Sequence, residues 1–213
     1  QGDFSTRQAH YLCEQALALS VQGDRAGAKA LLEQAIAAAP DAARARIELA
    51  RLQQLMGQPD AVLATLQTLG ERAPAALPLA APLMVEAGNA TGRQAEVHAR
   101  LVAHYEQSPS LDVLESIVAM EAANDATQAT ARARYVQHLD KERSLVAAAK
   151  WLSAEKLEHE EFHPQIQRAL EHAVKPLTRY RCAACGFEAR QHFWQCPGCQ
   201  TWDSYPERRV EEL

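Results

Sequence analysis

The chemistry in this sequence is concentrated near its end. Cys182-Ala183-Ala184-Cys185 and Cys196-Pro197-Gly198-Cys199 repeat one spacing, with ten residues between the pairs. Two thiolates so spaced on a tight turn grip one face of a metal ion, and two such turns close a tetrahedron. Zinc with four sulfurs at about 2.3 Å suits that set, with iron as the alternative. Pro197 presets a turn, and Gly186 leaves the backbone free to fold its amides back toward sulfur. Four of the five cysteines crowd between positions 182 and 199, which points to a metal site in a reducing compartment rather than a disulfide framework. Redox dithiols normally come as a single pair beside a strand–helix unit. Four sulfur ligands leave no open position for water or substrate, so the site is expected to be structural. A module of this size cannot bury enough surface to fold alone, and a metal supplies free energy on the order of 10 kcal/mol. Cys13 stands apart and reads as a small packing residue.

Aromatic residues crowd the same stretch: Tyr180, Phe187, Phe193, Trp194, Trp202 and Tyr205. They could form a small core around the metal, dock the module onto the preceding helices, or stack on nucleic acid. From Pro176 onward five arginines face five acids, and the whole chain carries a net charge of −5, so nucleic acid is not expected as a partner. The cysteine turns look rubredoxin-like, which makes an iron redox module the rival reading. Rubredoxins, however, place their pairs farther apart, and Gln200 stands where the second turn often has glycine. The other histidines (His10, His98, His104, His138, His172, His192) form no ligand-like cluster, and no phosphate loop, zinc-protease helix or nucleophile elbow occurs. No enzymatic activity is expected.

The elements that must carry this module announce themselves as a repeat. Gly23, Gly57 and Gly92 recur with the same period as Pro40, Pro74 and Pro109, and the third unit slips by a single position. Glycine and proline keep one separation in all three units, from Gly23 to Pro40, Gly57 to Pro74 and Gly92 to Pro109. Between the marks, apolar residues fall at helical spacing: Leu12, Ala16 and Leu19, then Ala28, Leu32 and Ala35. Leu49, Ala50 and Gln53 precede Val62, Leu66 and Leu69; Met84, Val85 and Gly88 precede Val97 and Leu101. Each unit therefore predicts a helix closed by glycine and a second helix ended by proline. Punctuation at this period resembles the tetratricopeptide repeat, whose unit is about 34 residues long. The aromatic usual near its fourth position is Leu12, Arg46 and Ala81 here, and the alanine near position 27 is Ala35, Leu69 and His104. A fourth, divergent unit runs from Leu111 to about Leu139, with the stripe Leu114, Ile117, Val118 and Met120 but no glycine.

The expected fold is an all-α, tetratricopeptide-like helical solenoid with a small C-terminal zinc-ribbon or rubredoxin-like module. Its parts are residues 1–140 (about four helix pairs), 141–175 (additional helices) and 176–213 (the four-cysteine module). In the middle part Leu145, Ala148, Ala149 and Leu152 are expected to form one buried face, and Ile166, Leu170 and Val174 another after a break at Pro164. The charged run Glu155, Lys156, Glu158, His159, Glu160, Glu161 and His163 reads as a solvated face. Aromatics at 6% and alanine-rich helices argue against a sandwich or barrel. No apolar run approaches the length of about 20 residues that a membrane-crossing helix needs. The start, Gln1-Gly2-Asp3, reads as part of a longer protein.

The order of the parts, repeats followed by Tyr180-Arg181-Cys182, Cys185-Gly186-Phe187, Trp194, Cys196-Pro197, Cys199 and Trp202, resembles the lipopolysaccharide assembly protein B (LapB, YciM) family. The resemblance implies an adaptor on the cytoplasmic face of the Gram-negative inner membrane, held there by an N-terminal anchor absent from this sequence. It implies FtsH protease and the LpxC deacetylase as partners, with an inner-membrane regulator (PbgA/YejM) opposing them, and regulation of lipopolysaccharide synthesis as the outcome. A general protein-interaction scaffold with a structural zinc is the alternative. Solenoids hold other polypeptides on the face lined by the first helix of each pair. At that register the candidate partner-binding residues are His10, Leu17, Arg44, Ile47, Arg51, Gln54, Glu86 and Asn89, with Cys13 and Ser20 beside them.

Overall fold

A computed structural model describes residues 4–124, 126–153, 155 and 160–213. Six helices follow the repeat marks: α1 (Phe4–Val21), α2 (Arg25–Ala38), α3 (Ala43–Leu55), α4 (Pro59–Arg72), α5 (Leu77–Thr91) and α6 (Gln94–Gln107). The three repeat glycines close α1, α3 and α5. Gly92, for example, caps α5 at φ +72°, in the left-handed region where a Cβ is strained, and its amide bonds to the Gly88 carbonyl. Pro40 and Pro74 each lie just past the last residue of the preceding helix, and Pro109 lies just past the end of α6. Prolines also begin helices, which the marks did not announce: Pro59 opens α4, and Pro78 sits in the first turn of α5. There the missing amide would have had no helical acceptor.

The chain divides into two compact units, residues 1–99 and 100–213. In the first, the core of the leading helices is built from small residues. Ala9, Cys13 and Ala16 of α1 meet Ala28, Leu32 and Ala35 of α2, and Ala45, Leu49 and Leu52 of α3. Val62, Leu66 and Leu69 of α4 and Leu77, Ala80, Ala81, Met84 and Ala87 of α5 are likewise buried. Gly88 shows why small residues are needed. A Cβ there would sit 2.8 Å from Val97 Cγ2, so any larger residue would have to displace Val97 where α5 meets the start of α6. Arg46, at the position usually aromatic, is 4% exposed and donates to the Pro40 carbonyl; its stem fills the space while its charge caps a loop.

The second unit contains the end of α6, α7 (Leu111–Ala122), the single-turn α8 (Gln128–Ala131), α9 (Ala133–Lys141), α10 (Leu145–Leu152) and α11 (His163–Val174). It ends in a two-stranded antiparallel sheet of β1 (Tyr180–Arg181) and β2 (Glu188–Ala189), with Tyr180 opposite Ala189. Leu101 and Tyr105 of α6, Val113, Leu114 and Ile117 of α7, Tyr135 and His138 of α9, and Val146 and Ala147 of α10 are buried. Tyr105 Oη lies 2.7 Å from His138 Nδ1. The divergent fourth unit lacks the turn glycine, and here Thr127 Oγ1 donates to the Glu121 carbonyl at 2.8 Å after α7.

Two expectations for the middle helices need correction. The buried face of α10 is Val146 and Ala147, whereas Leu145 is 41% exposed. Ala148, Ala149 and Leu152 are half-buried, so the helix turns its Val146–Ala147 side most deeply inward, and Ser144 caps its start through the Ala147 amide. In α11 no residue is buried and Ile166 is 42% exposed, so the predicted core face there is only partly covered. Pro164 lies in the first turn of α11 and marks the break that precedes it.

Candidate metal centre and its helical support

The two cysteine turns fold alike. After Cys185 the chain turns at Gly186, φ +77°; its amide donates to the Cys182 carbonyl at 2.8 Å, and the Cys182 amide to the Phe187 carbonyl at 2.9 Å. After Cys199 the same two bonds recur, from Gln200 to Cys196 at 2.8 Å and from Cys196 to Thr201 at 2.9 Å. Gln200 sits at φ +60°, the conformation glycine would take, so the turn is kept although its usual residue is missing. Asp203 also lies in this region, at φ +49°. A side chain in the left-handed region costs about 1–2 kcal/mol, partly offset by the lower entropy of a non-glycine unfolded chain. Gln200→Gly is therefore expected to stabilise the module by about 0.5–1 kcal/mol. The check is a higher chelator concentration at half metal release; an unchanged or lower midpoint would show that the Gln200 side-chain bond to the Pro197 carbonyl outweighs the strain.

These turns bring all four sulfurs within 4.8 Å of one another. Cys182 and Cys199 Sγ are 3.8 Å apart, and Cys185 and Cys196 Sγ 3.7 Å. A tetrahedral ion with bonds of about 2.3 Å requires edges of about 3.8 Å, so donor set and spacing both fit zinc or iron. Cys182 and Cys196 are buried, Cys199 is half-buried and Cys185 exposed. Hydroxyls surround the sulfurs: Ser204 Oγ is 3.2 Å from Cys182 Sγ and Thr201 Oγ1 3.3 Å from Cys199 Sγ. Such outer partners orient ligands. Beside the sulfurs, His192 packs edge-on against Tyr180, Trp194 and Tyr205, with Nε2 3.2 Å from the Tyr205 carbonyl. His192, read in the sequence only as lacking a ligand cluster, is the centre of the module's small aromatic core.

The module is fastened to α7 by a cluster in which the sequence singled out Tyr180, as one of the aromatics that could dock the module, but not its partner Asp112. Tyr180 Oη donates to Asp112 Oδ2 at 3.0 Å. Arg209 donates to the same carboxylate through Nε, 3.1 Å from Oδ1, and through Nη2, and its Nη1 donates to the Thr178 carbonyl at 2.7 Å. Burial disfavours the charge on Arg209, but Asp112 outweighs it and its pKa lies above the usual arginine value. Burial, then Asp112, pushes the Tyr180 hydroxyl up. A few residues on, Glu212 accepts from the Leu111 amide at 2.8 Å. Glu211 accepts from Ser144 Oγ and from the Leu145 amide, both at 2.6 Å, and from the Val146 amide at 3.1 Å.

The partner-binding candidates on α1, α3 and α5 separate into two groups. His10, Arg44 and Ile47 are 2%, 5% and 1% exposed. Arg44 Nη1 approaches His10 Nδ1 at 3.4 Å, and its Nη2 donates to Glu14 at 2.5 Å. Cys13, also fully buried, has its thiol pushed up to about 11 by burial. Leu17, Arg51, Glu86 and Asn89 are exposed and Gln54 is half-buried, with Gln54 Nε2 donating to Glu86 at 3.3 Å from α3 to α5. Arg51 pairs with the buried Glu48 at 3.1 Å. In the charged run before α11, Lys156, Glu158 and His159 lie outside the described residues.

Comparison with known proteins agrees with both halves. Residues 22–87 match the tetratricopeptide repeat family, and residues 180–207 match a rubredoxin metal binding domain family, the zinc ribbon of LapB. Lipopolysaccharide assembly protein B of Escherichia coli K12 is 42% identical over 41 residues, 19% of this chain and 10% of that protein. DNA repair protein RadA of Halalkalibacterium halodurans is 40% identical over 38 residues, 18% of this chain and 8% of that protein. The matched stretch thus spans about a tenth of the length of the curated relatives. The four-cysteine geometry and the family match together indicate a bound metal ion. The chain thus resembles LapB in its ribbon and joins that ribbon to tetratricopeptide repeats.

Proposed function

We propose that the chain is a non-enzymatic scaffold in lipopolysaccharide assembly that brings the LpxC deacetylase to the membrane protease FtsH. The observation that carries the reading is the union in one chain of a tetratricopeptide match over residues 22–87 and a LapB-type ribbon match over residues 180–207. Cys182, Cys185, Cys196 and Cys199 hold the metal, zinc in preference to iron, and the ion closes the two cysteine turns on each other. The exposed residues Leu17, Arg51, Glu86 and Asn89, with half-buried Gln54, form the polypeptide-holding face, and His10, Arg44 and Ile47 support it from beneath. Holding a substrate beside a protease raises the effective concentration of one for the other without any chemistry by the holder. No described helix is long and apolar enough to cross a membrane, so placement on the cytoplasmic side of the inner membrane, with PbgA/YejM as the opposing regulator, rests on the family likeness.

The test places photo-crosslinkers at positions 51 and 86 of the full-length protein in Gram-negative membranes. Crosslinks to FtsH or LpxC are expected, and both should weaken in an Arg51→Glu variant. Capture of neither would remove this reading. Iron in place of zinc would show as visible absorption by the thiolate centre.

A further inference from the structure

The last residues of the chain are tied both to the metal module and to two helices. Val210 donates its amide to the Arg179 carbonyl at 2.7 Å, and Glu211 donates its own to the Leu177 carbonyl at 3.2 Å. Residues 177–179 lead directly into β1 and Cys182, and the Ala183 amide within the first cysteine turn donates to the Ser204 carbonyl at 2.7 Å, so the segment that carries residues 210–212 is joined to that turn from both sides. From there the Glu212 carboxylate reaches the Leu111 amide at the start of α7, and the Glu211 carboxylate reaches the Leu145 and Val146 amides at the start of α10.

Helix starts leave amides without helical acceptors. Ser110 Oγ serves the Val113 amide at 3.4 Å, and Ser144 Oγ serves the Ala147 amide at 2.9 Å. Leu111, Leu145 and Val146 are left to the two glutamates. Carboxylates at these ends also face the positive pole of each helix. With only eight residues, α10 has little internal cooperativity to fall back on.

We propose that Glu211 and Glu212 form a metal-dependent latch: with the ion bound, the ribbon holds both carboxylates on the starts of α7 and α10, and loss of the ion releases them. The inference rests on the four-thiolate reading of the ribbon. Metal occupancy then sets the order of two helices that contain none of its ligands, and by linkage the latch strengthens metal binding in turn.

The experiment follows hydrogen exchange of the Leu111, Leu145 and Val146 amides in the whole chain by NMR, with metal content measured on the same samples. Stripping the metal with a strong chelator is expected to speed exchange at these three amides by about tenfold or more, the scale of a lost charge-assisted hydrogen bond. Amides within α1–α4 should be unchanged. The E211A/E212A variant should show the same acceleration while still holding one ion per chain, and E211Q/E212Q a smaller one. Protected amides after metal removal, or a double alanine variant that exchanges like the parent, would overturn the latch alone. A purified protein without metal would overturn the centre and the latch together.

Discussion

Replacement of Cys182 by serine should empty the metal centre and unfold the C-terminal module while leaving most of the helices in place. Cys182 is 1% exposed, and its sulfur is one corner of a set that lies within 4.8 Å, two of its edges being 3.7 and 3.8 Å. The module around it has two strands of two residues each and a small aromatic cluster, too little burial to stand alone. The ion contributes on the order of 10 kcal/mol, more than the marginal stability of a typical small domain. Serine keeps the shape of the side chain but is a poor ligand for a soft-thiolate site. Metal analysis should fall from one ion per chain to none, and the dispersed resonances of residues 180–207 should collapse. Far-ultraviolet circular dichroism should change little, because that signal comes from α1–α11. Cys13→Ser is the control. Its thiol lies in the first unit's core among Ala9, Ala16 and Ala28, and the variant should lose stability by about 1–2 kcal/mol from burying a hydroxyl, yet keep its metal. A Cys182→Ser protein with full metal content would end the ligand assignment.

The parts legible in the sequence are those where one residue type does one job at a fixed spacing. Glycine closes α1, α3 and α5 because the turn needs φ of +90°, +69° and +72° at Gly23, Gly57 and Gly92, and so its recurrence marks the helix pairs. Cysteine spacing works the same way. The illegible parts are those where a residue's role depends on a distant partner. Glu211 and Glu212 count only toward the charge balance of the module until the fold places them on two helix starts. Leu145 reads as core by its type, but it stands at the first residue of α10, and the packing of that helix turns Val146 and Ala147 inward instead. Gln200 reads as a departure, yet it adopts the backbone conformation of the residue it replaces. His104, at a position usually alanine, has Nε2 buried with no hydrogen-bond partner among the described residues, and burial followed by Arg208 holds its pKa below the usual histidine value. Nothing in local spacing announces any of these.

Asp112→Ala is expected to be the most damaging change outside the metal ligands. One carboxylate, 13% exposed, accepts from the Arg209 guanidinium and from the Tyr180 hydroxyl. Removing it leaves a guanidinium that is 24% exposed with the Thr178 carbonyl but without its carboxylate, and takes the acceptor from a hydroxyl on a residue 6% exposed. Breaking a buried pair by deleting one partner costs about 3–5 kcal/mol; the partial exposure of Arg209 lowers this to about 2–4 kcal/mol. Asp112 also lies in the first turn of α7, where a negative charge faces the positive helix end, a further contribution of about 0.5 kcal/mol. Urea unfolding of the metal-loaded protein measures the loss. Arg209→Ala should cost less, because it leaves Asp112 with Tyr180 as a donor, and the double variant should be clearly less destabilised than the sum of the two single ones. Additive losses would mean that the carboxylate and the guanidinium act independently. An Asp112→Ala protein as stable as the parent would mean that the ribbon is held to α7 by Glu212 and Arg208, which bond to the Leu111 amide and Ser108 Oγ, without any contribution from the charge pair.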